Sequence, residues 1–176
     1  MRIVRRIVLG VAAIAVMAAV PTPGALASPR APAATLSQLE SSVLVDINAF
    51  RVQHGLARLR LSGGLTAAAR AHTQQMAHAG YFAHESADGT VFWKRLRSFY
   101  APRPYWSVGE NLLWSSPDID GQHALQLWLA SPEHRRNLMN PLWREIGVSA
   151  VHATQAPGVY HGLDVTIVTT DFGVRR

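Results

Sequence analysis

The chemistry open to this chain rests on imidazoles and carboxylates, because its 176 residues include eight histidines and eleven acidic residues but no cysteine. The missing thiol excludes disulfide frameworks, thiol catalysis, iron–sulfur clusters and thiolate zinc sites. Histidines and carboxylates can still do general acid–base work or hold a divalent ion. The spacings that would announce such work locally are missing: there is no H-E-x-x-H, no G-x-S-x-G and no G-x-x-x-x-G-K-[ST]. Asp171-Phe172-Gly173 spells the magnesium motif of kinases, but no glycine-rich loop precedes a strand lysine and the chain is too short for that fold. His72 falls on an apolar helical stripe, where one isolated imidazole is expected to be a hydrogen-bonded core residue. Arg135-Arg136 and Arg175-Arg176 read as solvated surface charge.

The elements that must position these groups are legible from periodicity. Ser37-Gln38-Leu39-Glu40 has capping-box spacing, and Leu39, Val43, Ile47 and Phe50 recur at helical intervals, so a helix is predicted from 37 to His54, stopped by Gly55. A second is predicted from Leu65 to Ala79, with Gly80 ending it. Asp88-Gly89 marks a turn, a short helix follows over 91–99, and Pro102 and Pro104 force a loop. Val108 to Trp114 reads as extended and 119–130 as helix. Ser131-Pro132-Glu133 then reads as N-cap, first-turn proline and first-turn acid of a helix through Met139. The last third changes period: 146–151 and 159–172 read as two strands of a hairpin turned at Pro157-Gly158. Helices followed by paired strands imply an α+β fold.

The N-terminus runs from a basic start (Arg2, Arg5, Arg6) through an uncharged apolar run, Ile7 to Val20, to Ala25-Leu26-Ala27. This is the order of a cleaved secretory signal over residues 1–27. The run is shorter than the ~20 residues that span a bilayer, so no stable membrane span is expected after cleavage and the protein is expected outside the cytoplasmic membrane or in the cell envelope. Cleavage takes three arginines and no acid from a net charge of +6, leaving +3, which does not argue for a nucleic-acid partner. Residues 28–36 read as a flexible spacer.

Four segments then follow one another: N-A-F-R-V-Q-H-G-L (48–56), F-A-H-E-S-A-D-G (82–89), G-E-N-L (109–112) and S-P-E-H-R-R-N-L-M-N-P-L-W-R-E-I-G-V (131–148), closed by D-F-G at 171–173. In this order they resemble the CAP superfamily (cysteine-rich secretory protein, antigen 5 and pathogenesis-related 1), in its bacterial SCP-like branch. The resemblance covers 37–174 and implies a three-layer α-β-α sandwich with a central antiparallel sheet and a polar cleft. In eukaryotic members that cleft carries two histidines and two glutamates, which in some cases bind a divalent metal. His84 matches the first histidine and Glu110 the first glutamate, whereas Ser131 and Ile167 stand where the other two fall. The bacterial S-P-x-H-R motif offers His134 beside the cleft.

His84 sits in a loop, Glu110 at an extended turn and His134 at a helix start, three separate elements that can converge. Two imidazoles and a carboxylate suit zinc with one position left for water. The same groups suit a hydrogen-bonded triad that pins a loop to a helix, and both possibilities stand; no cofactor is required. Two functions are expected in turn: an extracellular binding module whose cleft takes a small apolar or lipid ligand of the cell envelope, or a cleft hydrolase acting on peptides or cell-wall material. Tryptophans 93, 106, 114, 128 and 143 supply aromatic area for the first, most of it in the core.

Overall fold

The computed structural model describes residues 36–176; the expected signal segment 1–27 and all but the last residue of the 28–36 spacer lie outside the described residues. The helices are α1 (Gln38–Gln53), α2 (Gly63–Ala79), α3 (Phe92–Phe99), α4 (Gly121–Ala130) and α5 (Pro132–Met139). The strands are β1 (Arg60–Leu61), β2 (Trp106–Ser115), β3 (Glu145–Ala153) and β4 (Val165–Arg175). They form one sheet in the order β1-β3-β4-β2, antiparallel except for β1, which runs parallel to β3. Among the described residues no helix is long and apolar enough to cross a membrane.

Caps set the helix ends. Ser37 accepts from the Glu40 amide while the Glu40 side chain accepts from the Ser37 amide, completing the capping box. Ser62 caps α2, so that helix begins at Gly63, two residues before the apolar periodicity does. Ser131 stands before α5 but its side chain makes no capping bond; Pro132 at the first helical position does the starting. The predicted second strand of the hairpin is shorter than expected. Gly158–Tyr160 form a 3-10 turn with Tyr160 buried, and β4 begins only at Val165.

Alternation along the strands divides the core into two layers. Val168, Phe172 and Val174 of β4 meet Val43, Ile47, Trp128 and Leu138 of α1, α4 and α5. On the opposite face Leu65 and Ala68 of α2 pack with Leu96 of α3 and with Tyr100, while Met76 packs with Leu112 and Ile167. Helix α2 lies very close to the sheet because Gly147 has no side chain: a Cβ there would stand 2.1 Å from the Leu65 carbonyl carbon. Arg51, wholly buried at the end of α1, donates to the carbonyls of Leu138 (2.7 Å), Asn140 (3.1 Å) and Ala57 (3.0 Å) and so fixes where α5 ends.

Candidate functional site

Strand β2 is the sheet edge, and consecutive strand residues point to opposite faces. Glu110 therefore reaches the α2–α3 side and Asn111 the α5 side, so the site wraps around one strand. Gly109 lets α5 approach, since a Cβ there would stand 2.9 Å from Asn137 Oδ1.

Glu110 joins the elements on its face. His84 Nδ1 donates to Glu110 Oε1 at 2.8 Å, and the Arg95 guanidinium from α3 pairs with Oε2. Arg95 also donates to the His84 carbonyl (2.9 Å) and to Ser86 Oγ (3.3 Å), tying the 84–86 loop to the same carboxylate. An ionised carboxylate only accepts, so Glu110 fixes the proton of the neutral imidazole on Nδ1 and leaves Nε2 free. The His84 side chain is 45% exposed while those of Glu110 and Arg95 are 0% and 8% exposed. This ring is the part of the cluster that a ligand can touch.

Two buried residues support it. His72 is the core histidine the sequence predicts: its Nε2 donates to the Ala83 carbonyl at 2.9 Å, immediately before His84, and burial holds its pKa below the usual histidine value. Asp171 is the cross-strand partner of Glu110, wholly buried, with neither carboxyl oxygen hydrogen-bonded. Burial, then the Glu110 charge, raise its pKa well above the usual carboxylate range, against an opposing pull from Arg95. Both effects favour the protonated form of this carboxyl group.

His134 comes to the site from the other side of β2. Asn111 Nδ2 donates to the His134 carbonyl (3.1 Å), and Asn137 Nδ2 donates to the Glu110 carbonyl (3.0 Å) and to Asn111 Oδ1 (2.8 Å). Its ring makes no hydrogen bond with His84 or Glu110. Burial first, and the His84 charge second, lower its pKa, with Glu133 opposing. Of the three sequence candidates, then, two are directly bonded and the third is anchored alongside by its main chain.

Arg95, Asp171 and Asn137 were not among those candidates. Arg95 had a signal, since it shares the buried side of α3 with Phe92 and Leu96 at helical spacing. Asp171 had one too, as the lone acid within the apolar run of β4.

These donors do not fit a resident metal ion. Among the described residues no three histidine or acidic side chains are grouped as such a site requires. Both Glu110 oxygens are engaged, one by a guanidinium that already supplies positive charge there. Beside the cluster lies a cleft of about 370 Å³ between α2, the 84–90 loop and α3, lined by His72, Gln75, Ser86, Thr90, Lys94 and Arg95 among others.

The profile of the cysteine-rich secretory protein family, CAP, matches residues 44–170. The chain belongs to this family. Among the proteins it resembles, the Bacillus subtilis (strain 168) protein YkwD is 30% identical over 119 residues, 68% of this chain and 45% of that protein. The B. subtilis membrane protein YlbC is 31% identical over 109 residues, 62% of this chain and 30% of that protein. The chain thus spans less than half the length of these curated relatives. In structure it is similar to an extracellular protein containing an SCP domain from Bacillus anthracis (TM-score 0.59, 27% identity, 82% of this chain and 45% of that one). It shares its fold with an outer surface protein of Borrelia burgdorferi (TM-score 0.62, 21% identity, 76% and 90%). The three-layer CAP sandwich expected from the sequence is the fold observed.

Proposed function

We propose that this CAP domain is an exported binding module of the cell surface or envelope, and that a small polar ligand binds at the exposed His84 ring, beside a polar cleft whose lining includes Arg95 but not His84. The observation that carries this is the closure of the cluster on itself: Glu110 and Arg95 are spent on each other and on the loop, and His84 Nε2 alone is left toward solvent. Such an arrangement presents one rigid acceptor at the surface. The polar lining of the adjacent cleft favours a hydroxyl- or amide-bearing ligand over the apolar or lipid one expected from the tryptophans, two of which, Trp128 and Trp143, are buried in the core. Export rests on the signal-like order of residues 1–27 and on the extracellular description of the B. anthracis relative.

A cleft hydrolase is the second reading. The observation favouring it is the His84–Glu110 pair itself, since a carboxylate that orients an imidazole at 2.8 Å is how a general base is held. Native mass spectrometry of the protein recovered from its host tests the first reading: a retained polar molecule, lost in His84→Gln, is expected. A co-purifying metal, or a lipid whose retention is lost in His84→Gln, would contradict it.

A further inference from the structure

Charge is segregated along the strand direction. Of the 17 lysines and arginines, Arg2, Arg5, Arg6 and Arg30 precede the described residues, leaving thirteen. Seven of these gather where β1 and β3 start and β2 and β4 meet: Arg58, Arg60, Arg97, Arg103, Arg144, Arg175 and Arg176. Register and contacts place them together. Arg60 pairs with Glu145 across β1 and β3, and Arg175 pairs with Trp106 across β4 and β2. The Arg175 guanidinium lies 4.0 Å from the centre of the Tyr100 ring and donates to the Ala101 carbonyl; that of Arg176 lies 4.7 Å from the centre of Tyr105. Arg103 is on the loop between them, and Arg97 is on the turn of α3 that leads to Tyr100.

The one acid at this end, Glu145, is spent within it, bonded to the Tyr100 hydroxyl and flanked by Arg175 (3.6 Å) and Arg60 (3.8 Å). At the opposite end, β2 runs on to Asp118 and Asp120 and β4 begins after Asp164, and residues 115–122 and 152–165 contain no lysine or arginine. A surface with arginines gathered at one end of the sheet and aspartates at the other, on a domain of modest net charge, is oriented by an anionic partner.

We propose that this arginine end docks the domain on an anionic phospholipid surface. Charge alone would suit any polyanion; what selects a bilayer is the apolar area set among the arginines. Leu61, Phe99 and Tyr105 are all exposed there, and a Cβ on Gly64, just past Leu61, would meet the Phe99 carbonyl. Arginines that reach headgroup phosphates around aliphatic and aromatic side chains entering the interface make the pattern of a peripheral membrane surface. Docked this way, the edge strand β2 stands with its Trp106 end on the membrane.

The test uses residues 36–176, which hold every element and core cluster described above, with vesicles of phosphatidylglycerol or of phosphatidylcholine. Sedimentation with the first and not the second is expected, with release at about 1 M salt, where the screening length falls to about 3 Å. Arg58→Glu with Arg103→Glu, exposed side chains without hydrogen bonds, should lower partition by about tenfold or more at an unchanged melting temperature. Leu61→Ser with Phe99→Ser should weaken vesicle binding and leave retention by soluble polyphosphate unchanged. The proposal is overturned if the wild type does not sediment, or if it sediments equally with both lipids. It is overturned as well if polyphosphate displaces it from vesicles and the Leu61 and Phe99 changes have no effect, which would make the partner a soluble polyanion.

Discussion

Asp171 lies directly across the β2–β4 ladder from Glu110, so two carboxyl groups share one buried spot with a single guanidinium. One arginine can balance one charge. Glu110 holds Arg95, and the pKa of Asp171 is pushed up, toward its protonated form.

That division has a sign that can be measured. In the unfolded chain Asp171 ionises near 3.8, whereas in the fold its pKa is raised well above that value. Above about pH 4 the unfolded state therefore holds fewer protons, and the Asp171 contribution to stability declines as pH rises toward its folded pKa. Asp171→Asn, a permanently neutral isostere, is expected to be more stable than wild type at pH 7, with the gap closing toward pH 4. Chemical denaturation at the two pH values checks this. A variant that is less stable at pH 7 than at pH 4, relative to wild type, would falsify the upward pKa shift of Asp171.

Arg95 should be far less replaceable. Arg95→Met leaves Glu110 charged and buried without its partner, a change expected to cost about 3–5 kcal/mol. Arg95→Lys should recover only part, because an ammonium cannot pair with the carboxylate and cap the His84 carbonyl in one planar fork. Millimolar zinc should leave the wild-type melting temperature unchanged and raise that of Arg95→Met. Strong zinc stabilisation of the wild type would show that the guanidinium does not take the place of a metal.

Legibility in the sequence followed the range of the interaction. The Ser37–Glu40 box, the apolar stripe holding His72 and the stop at Gly80 are set within a few residues, and each is found where predicted. The join of His84 to Glu110 came only through the family resemblance. Arg95 and Asp171 needed the strand register and the docking of α3, which no local pattern encodes. In sequence the 159–164 segment reads as strand, because its valine, tyrosine and leucine mimic one. Tertiary packing instead buries Tyr160 against Trp114, with its hydroxyl on the Tyr81 carbonyl, and turns the chain at Gly158 and Gly162.

Acid should weaken the fold through the buried imidazole of His72 and the half-buried one of His134. His72 and His134 have depressed pKa values, while their unfolded counterparts titrate near 6.5. Below that pH the unfolded chain takes up protons the folded protein refuses, so stability present at pH 8 is lost as pH falls. His72→Gln, whose amide can still donate to the Ala83 carbonyl, should cost about 1 kcal/mol at pH 8 and show a shallower acid decline. Melting curves across pH 5 to 8 decide it; parallel slopes for the two proteins would remove His72 as a source.

Trp128 tests the packing that replaces disulfides. Its ring is 1% exposed and its Nε1 donates to the Leu112 carbonyl at 3.1 Å, linking α4 to the strand that carries Glu110. Trp128→Ala should cost about 3–5 kcal/mol, and reducing agent should have no effect on either protein. A loss under about 1 kcal/mol in denaturant unfolding would place this ring outside the core.

The central claim is that the His84 ring, oriented by Glu110, holds a polar ligand without transforming it. One NMR titration measures both halves: soluble cell-wall fragments bearing sugar and peptide are added to protein labelled at histidine, and the His84 ring and the fragment signals are followed together. Saturable shifts of His84 Nε2, an unchanged Nδ1 proton and an intact fragment are predicted. A fragment cleaved by the wild type and spared by His84→Gln, or a His84 ring that does not respond at all, would contradict it.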